Sequence, residues 1–259
     1  MFALTNQEIA ARCPQVFETS YSDRRTQRYG QLTTVNVIDA LRTEGYEVTN
    51  AFTQSARVSK RPTIHHKHCV RLSHKDFLDT LNPNDTRPEI VIVNSHDGSS
   101  SFRIMAGVFR IVCQNGLIIA DDMTADQRVC HWKKNSLEDV ITCALNVAEQ
   151  AKESYDFIER MKSVNLSENQ QKEYAQRAAE IRLGFNKKAK IQYSENLLIP
   201  HHHEDNLTPS VWNTYNVVQE NCIKGGQIVG SYALRPLTNI TQNVKVNKEL
   251  WSEAVKLLA

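Results

Sequence analysis

Two hydrophobic rhythms share this chain, and the place where one gives way to the other constrains the fold more than any other feature. Between Tyr46 and Ala120, apolar residues alternate with polar ones or gather in short runs, as in Ile90-Val91-Ile92-Val93 after the turn Asn82-Pro83-Asn84-Asp85. Successive side chains of a strand point to opposite faces, so alternation marks a half-buried strand and a short apolar run a buried one. Tyr46 to Val58, Thr63 to Ser73, Ile90 to Val93, Phe102 to Val112 and Leu117 to Ala120 thus predict a meander of about five antiparallel strands.

On either side of that region the rhythm is helical. Thr5 followed by Glu8 has the spacing of a capping box, opening a short helix that Pro14 ends. Thr33 or Thr34 caps a second helix, with Val35, Ile38 and Leu41 on its core face and Gly45 as its stop. From Ser136 a long helix carries Val140, Ala144, Val147, Ala151, Tyr155, Ile158 and Met161. Further helices follow from Ser167 to Leu183, around Val211 to Ile223, and from Asn247 to Leu258. Trp212, Tyr215 and Val218 follow helical spacing as a packed face, and Gly225-Gly226 ends their helix. The expected class is α+β, an antiparallel β-meander with flanking helices in the first half and a mostly helical second half. Residues 1–135 would form the sheet-containing core and residues 136–259 a helical region packed on it as one continuous unit.

A chain of 259 residues with 41% hydrophobic content can bury a sizeable core without covalent staples. Its six cysteines form no CxxC pair and several lie in apolar runs, which indicates reduced, packed thiols. No apolar stretch approaches the roughly 18 residues a membrane span needs, and Met1 to Asn6 has no basic region leading into an apolar core, so a cytoplasmic location and no membrane partner are expected. A net charge of +2 does not itself require a polyanionic partner, so any such partner must be read from where the charges fall.

They fall unevenly. Arg24, Arg25 and Arg28, then Arg57, Lys60, Arg61, His65, His66, Lys67, His68 and Arg71, are interleaved with Tyr21, Tyr29, Tyr46 and Phe52. A groove for single-stranded nucleic acid needs cations that track phosphates and flat side chains that stack on bases. The alternative is a solvated hairpin whose charges serve solubility. A second candidate is the turn Asn94-Ser95-His96-Asp97-Gly98, with Gln114 and Asn115 nearby in sequence. Asn94 and Asp97 suit side-chain turns and Gly98 a positive φ angle, while three adjacent residues seldom form a Ser-His-Asp triad. Arg103 and Arg110 would face opposite sides of one strand unless a bulge near Gly107 turned both into one groove. The histidine groups His65-His66 with His68-Cys69 and His201-His202-His203-Glu204-Asp205 match no established metal spacing, and no metal ligand is assigned. No phosphate loop, HExxH or Gly-x-Ser-x-Gly elbow occurs, and no catalytic residue or cofactor is expected.

Ile90 to Arg103 with Phe109 to Leu117, Val211 to Gly226, Arg235-Pro236, and Asn247 to Trp251 resemble the signature of a family of phage- and plasmid-borne proteins catalogued as a domain of unknown function. The matches at both ends imply that nearly the whole chain belongs to it. The order of a helix ending in Glu44-Gly45-Tyr46, a basic hairpin, further strands and a long helix is similar to the core of single-strand annealing proteins of recombination. That second resemblance is at the level of fold only.

Together these features lead to the expectation of a non-enzymatic single-stranded-DNA binding or annealing protein of a mobile element, acting in recombination or replication. The residues expected to hold DNA are Arg24, Arg25, Arg28, Arg57, Lys60, Arg61, His66, Lys67, His68, Arg71, Arg103 and Arg110, with Asn94, His96, Asp97, Gln114 and Asn115 as a polar site. Its partners would be DNA and further copies of itself in a ring or filament. The alternatives are a metal-dependent nuclease or hydrolase, and a protein-binding module that counters or regulates host defence, with a host defence or recombination protein as partner.

Overall fold

The computed structural model describes residues 3–20, 33–54, 63–78, 86–98, 100–110, 116–117, 126–129, 137–184, 191–202 and 208–258. Thr5 opens α1 (Asn6–Arg12) with the expected capping box: its hydroxyl accepts from the Glu8 amide, and the Glu8 carboxylate accepts from the Thr5 amide at 2.8 Å. A 3-10 turn follows at Pro14–Phe17. In α2 (Thr34–Thr43) the buried residues are Thr34, Val37, Ile38 and Leu41, so Val37 joins the core in place of the half-buried Val35. Gly45 then reverses the chain at φ 86°, where an added Cβ would sit 2.7 Å from Nε2 of His74. A side chain there would meet both a strained backbone and an imidazole.

Four strands run antiparallel in the order β1 (Tyr46–Thr53), β2 (His68–His74), β3 (Thr86–Asn94) and β4 (Phe102–Arg110). The two-residue strand β5 is Gly116–Leu117, and β6 (Asp126–Val129) pairs with the start of β4. The β1–β2 register shifts between Val48 and Asn50, a bulge at Thr49. No shift interrupts β3–β4 from Thr86↔Arg110 to Val93↔Arg103. The bulge near Gly107 that would bring Arg103 and Arg110 into one groove is therefore absent, and the two arginines stand at opposite ends of a regular strand.

One face of the sheet carries Val48, Ala51, Val70, Leu72, Ile90, Ile92, Phe102 and Ile104, packed with Ile9, Val37, Ile38, Leu41, Val140, Ala144 and Val147. The other face is also buried and sets a charged network beside Cys69, Val91, Val93 and Met105. Glu89 accepts from Arg71 Nε at 2.5 Å, from Arg87 Nε at 2.7 Å and from the bulged Thr49 at 3.0 Å, and all four residues are buried. Alternation in β2 thus marks two buried faces rather than one wet face.

The division into two compact units, Met1–Ile111 with Ile118–Lys152 and Val112–Leu117 with Glu153–Ala259, falls inside α3 (Leu137–Ser163). In the second unit α4 (Glu168–Leu183) begins with a Ser167–Gln170 capping box. Helix α5 (Val211–Lys224) packs with α6 (Ile240–Lys256) through Gln219, whose amide donates to Asn247 at 2.7 Å. Tyr215 stacks on Trp212 at 6.0 Å and meets Trp251 edge-on at 5.7 Å, so this aromatic stripe is core, as its spacing predicts. The small hairpin β7 (Ile228–Val229) and β8 (Tyr232–Ala233) had no sequence signal long enough to be read. Among the described residues no helix is long and apolar enough to cross a membrane.

Candidate functional site

The end of the sheet where β2 begins and β3 stops holds a buried polar cluster. His68 and Asn94 pair across the two strands, and both are fully buried. His68 Nδ1 lies 3.2 Å from the His66 carbonyl, an atom that can only accept, so Nδ1 carries the proton and Nε2 carries a lone pair. That lone pair accepts from the Thr34 hydroxyl at 2.8 Å, which in turn accepts from the Asn94 amide at 3.0 Å. The Asn94 side-chain oxygen then accepts from the Ser95 amide at 2.7 Å. A single direction of donation thus links the start of α2, the start of β2 and the end of β3.

His96 lies beside this chain, its ring stacked on His68 at 5.2 Å. Its Nε2 lies 2.8 Å from the Gln15 carbonyl, which assigns the proton to Nε2 and leaves Nδ1 as a bare lone pair. The His96 amide donates to the His65 carbonyl at 3.1 Å, Gln15 Nε2 donates to the Thr63 carbonyl at 3.0 Å, and Ser20 bonds His65 Nε2 at 3.0 Å. Burial disfavours the charged form of both inner imidazoles: it drives His68 down to about 3 and lowers His96. Five buried side-chain atoms here, on Gln15, Thr33, Gln54, His65 and His96, have no hydrogen-bond partner. Buried polar atoms are nearly always paired, so such a concentration marks a place with capacity for a polar partner.

The turn is closed by Ser95, whose hydroxyl accepts from the Ser100 amide at 2.9 Å, around Gly98 at φ 70°. The positive φ expected of Gly98 is present. Asn94, Ser95 and His96 are buried, and Asp97 is half-buried. Because His96 Nε2 turns to Gln15 and not to Ser95, the tripeptide builds no triad.

Of the residues expected to hold nucleic acid, His68 and Arg71 are withdrawn: the first is enclosed in the polar chain and the second is bound to Glu89, so neither can reach a surface phosphate. His66, Lys67 and Arg103 are half-buried at the same sheet end. Burial lowers the Lys67 amine, Asp97 raises it, and Arg103 lowers it further. Arg110 pairs with Thr86 at the far end of β4. Arg24, Arg25, Arg28, Arg57, Lys60, Arg61, Gln114 and Asn115 lie outside the described residues. In the second unit His201 bonds Asn221 at 2.7 Å and His202 lies 3.2 Å from Glu220. Among the described residues no three of His, Cys, Asp and Glu converge to hold a metal. Gln15 was not read from the sequence as a site residue and Thr34 was read only as a helix cap, since an isolated Gln in a turn and a Thr at a helix start carry no pattern that points to a distant histidine.

A family model described as "Domain of unknown function (DUF932)" matches residues 23–251. Two proteins of Escherichia coli (strain K12), the UPF0380 proteins YfjQ and YafZ, are each 32% identical to the chain over 264 residues, an alignment covering 98% of it and 92% of theirs. No solved structure matches the chain.

Proposed function

The chain belongs to the DUF932 family, and from that starting point we propose that it is a non-enzymatic single-stranded-DNA binding or annealing protein that serves recombination or replication of a mobile element in the cytoplasm. One observation carries the reading: the described residues on either side of both basic segments meet at the histidine cluster. Segment 21–32 follows Ser20, which bonds His65, and precedes Thr33 and Thr34, the latter bonding His68. Segment 55–62 follows Gln54, whose amide donates to Lys67, and precedes Thr63, which accepts from Gln15. The first segment has three arginines against one aspartate and the second has three cations and no acid, a surplus of five in a chain whose total surplus is two. Both cation-rich segments are therefore flanked by residues of this sheet end while the rest of the chain carries the offsetting charge, which supports a groove that tracks a backbone.

Single strands are preferred because unstacked bases need flat partners. Phe52, 39% exposed on β1 just before the second segment, is such a partner, and Tyr21 and Tyr29 belong to the first. Exchanging Arg57 and Arg61 together for alanine is expected to weaken DNA binding while leaving the melting temperature nearly unchanged, since charges that serve a ligand rather than the fold usually contribute within about 0.5 kcal/mol. A large loss of thermal stability in that variant would instead assign the two arginines to the fold.

Annealing also demands many nucleotides held in register, more than one chain of this size spans. Copies joined through the long helix and the sheet edges would supply that length as a ring or filament. Light scattering should show a higher-order assembly once single-stranded DNA is added. A strict monomer at tens of micromolar, with and without DNA, would favour a module that binds host proteins.

A further inference from the structure

The second unit holds a recess of about 220 Å³ between the first turn of α4, the end of the 3-10 turn Ser194–Leu198 and the start of α5. Asn213, Thr214 and Val217 reach it from one face of α5, because residues three and four apart are neighbours on a helix. Thr208 and Pro209 on its lining are exposed, whereas Thr214 and Val217 are buried, so the recess runs from solvent into the packed unit. Its walls are tied together. The Leu166 amide donates to the Pro209 carbonyl at 2.9 Å, and Ser210 caps α5 by accepting from the Asn213 amide at 3.1 Å. The side-chain amide of Asn213 donates to the carbonyl and the hydroxyl of Thr208, both at 3.1 Å, and that of Gln171 donates to the Leu166 carbonyl at 3.4 Å. Both side chains thus turn N–H groups to the protein, and neither side-chain oxygen has a partner among the described residues. Thr214 is only 5% exposed, and its hydroxyl also has no partner among the described residues. Buried polar groups are nearly always paired, so an unpaired hydroxyl on the lining of a recess points to a ligand.

We propose that this recess takes a nucleobase with an exocyclic amino group, as cytosine and adenine carry. Among the described residues no charged side chain lines it, which disfavours a phosphate or a metal ion and suits a neutral ring. Pro200 and Leu198 on one side, with Pro209 and Val217, supply apolar surface for the faces of a flat ring. The free amide oxygens of Gln171 and Asn213 can only accept, so the ligand has to donate to them. An exocyclic amino group offers two N–H donors, whereas uracil and thymine present an acceptor at the same position. The Thr214 hydroxyl can then donate to the ring nitrogen beside the amino group. The volume lies below the roughly 300–1,000 Å³ of clefts for drug-sized ligands, so it suits one base rather than a whole nucleotide. As a base of the bound strand the ligand rests on the nucleic-acid reading above, and as the base of a free nucleoside it stands without that reading.

Fluorescence anisotropy with labelled oligo-dC and oligo-dU strands of equal length tests the site, since the two bases differ in the amino or carbonyl group on one ring edge. The wild type should bind oligo-dC roughly three- to tenfold more tightly, the effect of about one hydrogen bond, and Thr214→Val should lose that preference while Thr214→Ser keeps it. Thermal shift with free deoxycytidine and deoxyuridine forms the second arm and separates a nucleoside ligand from a base within a strand. Stabilisation by deoxycytidine alone, absent in Thr214→Val, supports the site whether or not a strand binds. Equal affinity for the two strands, with no difference between the two nucleosides, would overturn the site and leave the broader reading standing. If no strand binds, the broader reading fails and the nucleosides alone decide the site. A preference for cytosine that persists unchanged in Thr214→Val would also overturn it. Should Thr214→Val fail to fold, Gln171→Leu on the half-buried wall gives the same answer.

Discussion

Replacing Glu89 with alanine is expected to remove about 3–5 kcal/mol of folding stability, because it leaves two buried guanidiniums without the carboxylate they share. Arg71 reaches one oxygen at 2.5 Å, and Arg87 and Thr49 reach the other at 2.7 and 3.0 Å. The side chain of Glu89 has no exposure at all, so water cannot stand in for it. Domain stabilities of about 5–15 kcal/mol make such a loss a large share of the total. Glu89→Gln should recover the shape but little of the stability, since a neutral amide offers one acceptor where two charge-assisted bonds were made. Urea unfolding at neutral pH measures both. The exposed pair Lys172–Glu168, also at 2.5 Å, serves as a control whose removal should change the midpoint little, because solvent screens it. A Glu89→Ala midpoint close to the wild type would mean that this face of the sheet is not held by the network.

Mild acid should destabilise the fold through His68 before most carboxylates titrate. The imidazole protonates near 6.5 in an unfolded chain, whereas burial lowers it to about 3 in the fold, so between those values the unfolded state binds the extra proton. Its contribution is complete above pH 6.5 and is lost as the pH falls from there towards 3, about 4–5 kcal/mol in all at 1.36 kcal/mol per unit. Burial also lowers His96, which adds a loss of the same sign. Glu8 and Glu18 are lowered by hydrogen bonds from Thr5 and Ser20, and their contributions disappear only at more acid pH, below the usual carboxylate value of 4.5. The window from pH 7 to 5 therefore isolates the histidines. Stability measured by urea should fall with decreasing pH in that window, and His68→Asn should be less stable at pH 7 with a shallower pH dependence. An equal slope in the variant would show that His68 is not the group being titrated.

Much of the architecture was legible because local signals and burial agree. The capping box at Thr5, the stop at Gly45, the turn at Gly98 and the helical spacing of Trp212 and Tyr215 all depend on neighbours within a few residues, which a single sequence displays. The site was less legible because its partners come from distant stretches. Nothing in the sequence brings Gln15 to His96, or Thr34 to His68, across 81 and 34 residues. Arg71 looked like a surface cation for the same reason: alternation in β2 cannot tell a wet face from a second buried one, and the carboxylate that neutralises it lies 18 residues away. The short β7–β8 hairpin gave too few residues for any period to be counted.

The proposal that the cation-rich segments bind a single nucleic-acid strand is tested most directly by anisotropy of matched single-stranded and duplex DNA across a salt series without added nucleotide. The account predicts tighter binding of the single strand, with an affinity that falls steeply from low to moderate salt as phosphates exchange protein cations for counterions. It also predicts that the added DNA remains intact on a gel with or without magnesium or manganese. No detectable binding at micromolar protein, or an affinity that does not respond to salt, would contradict it.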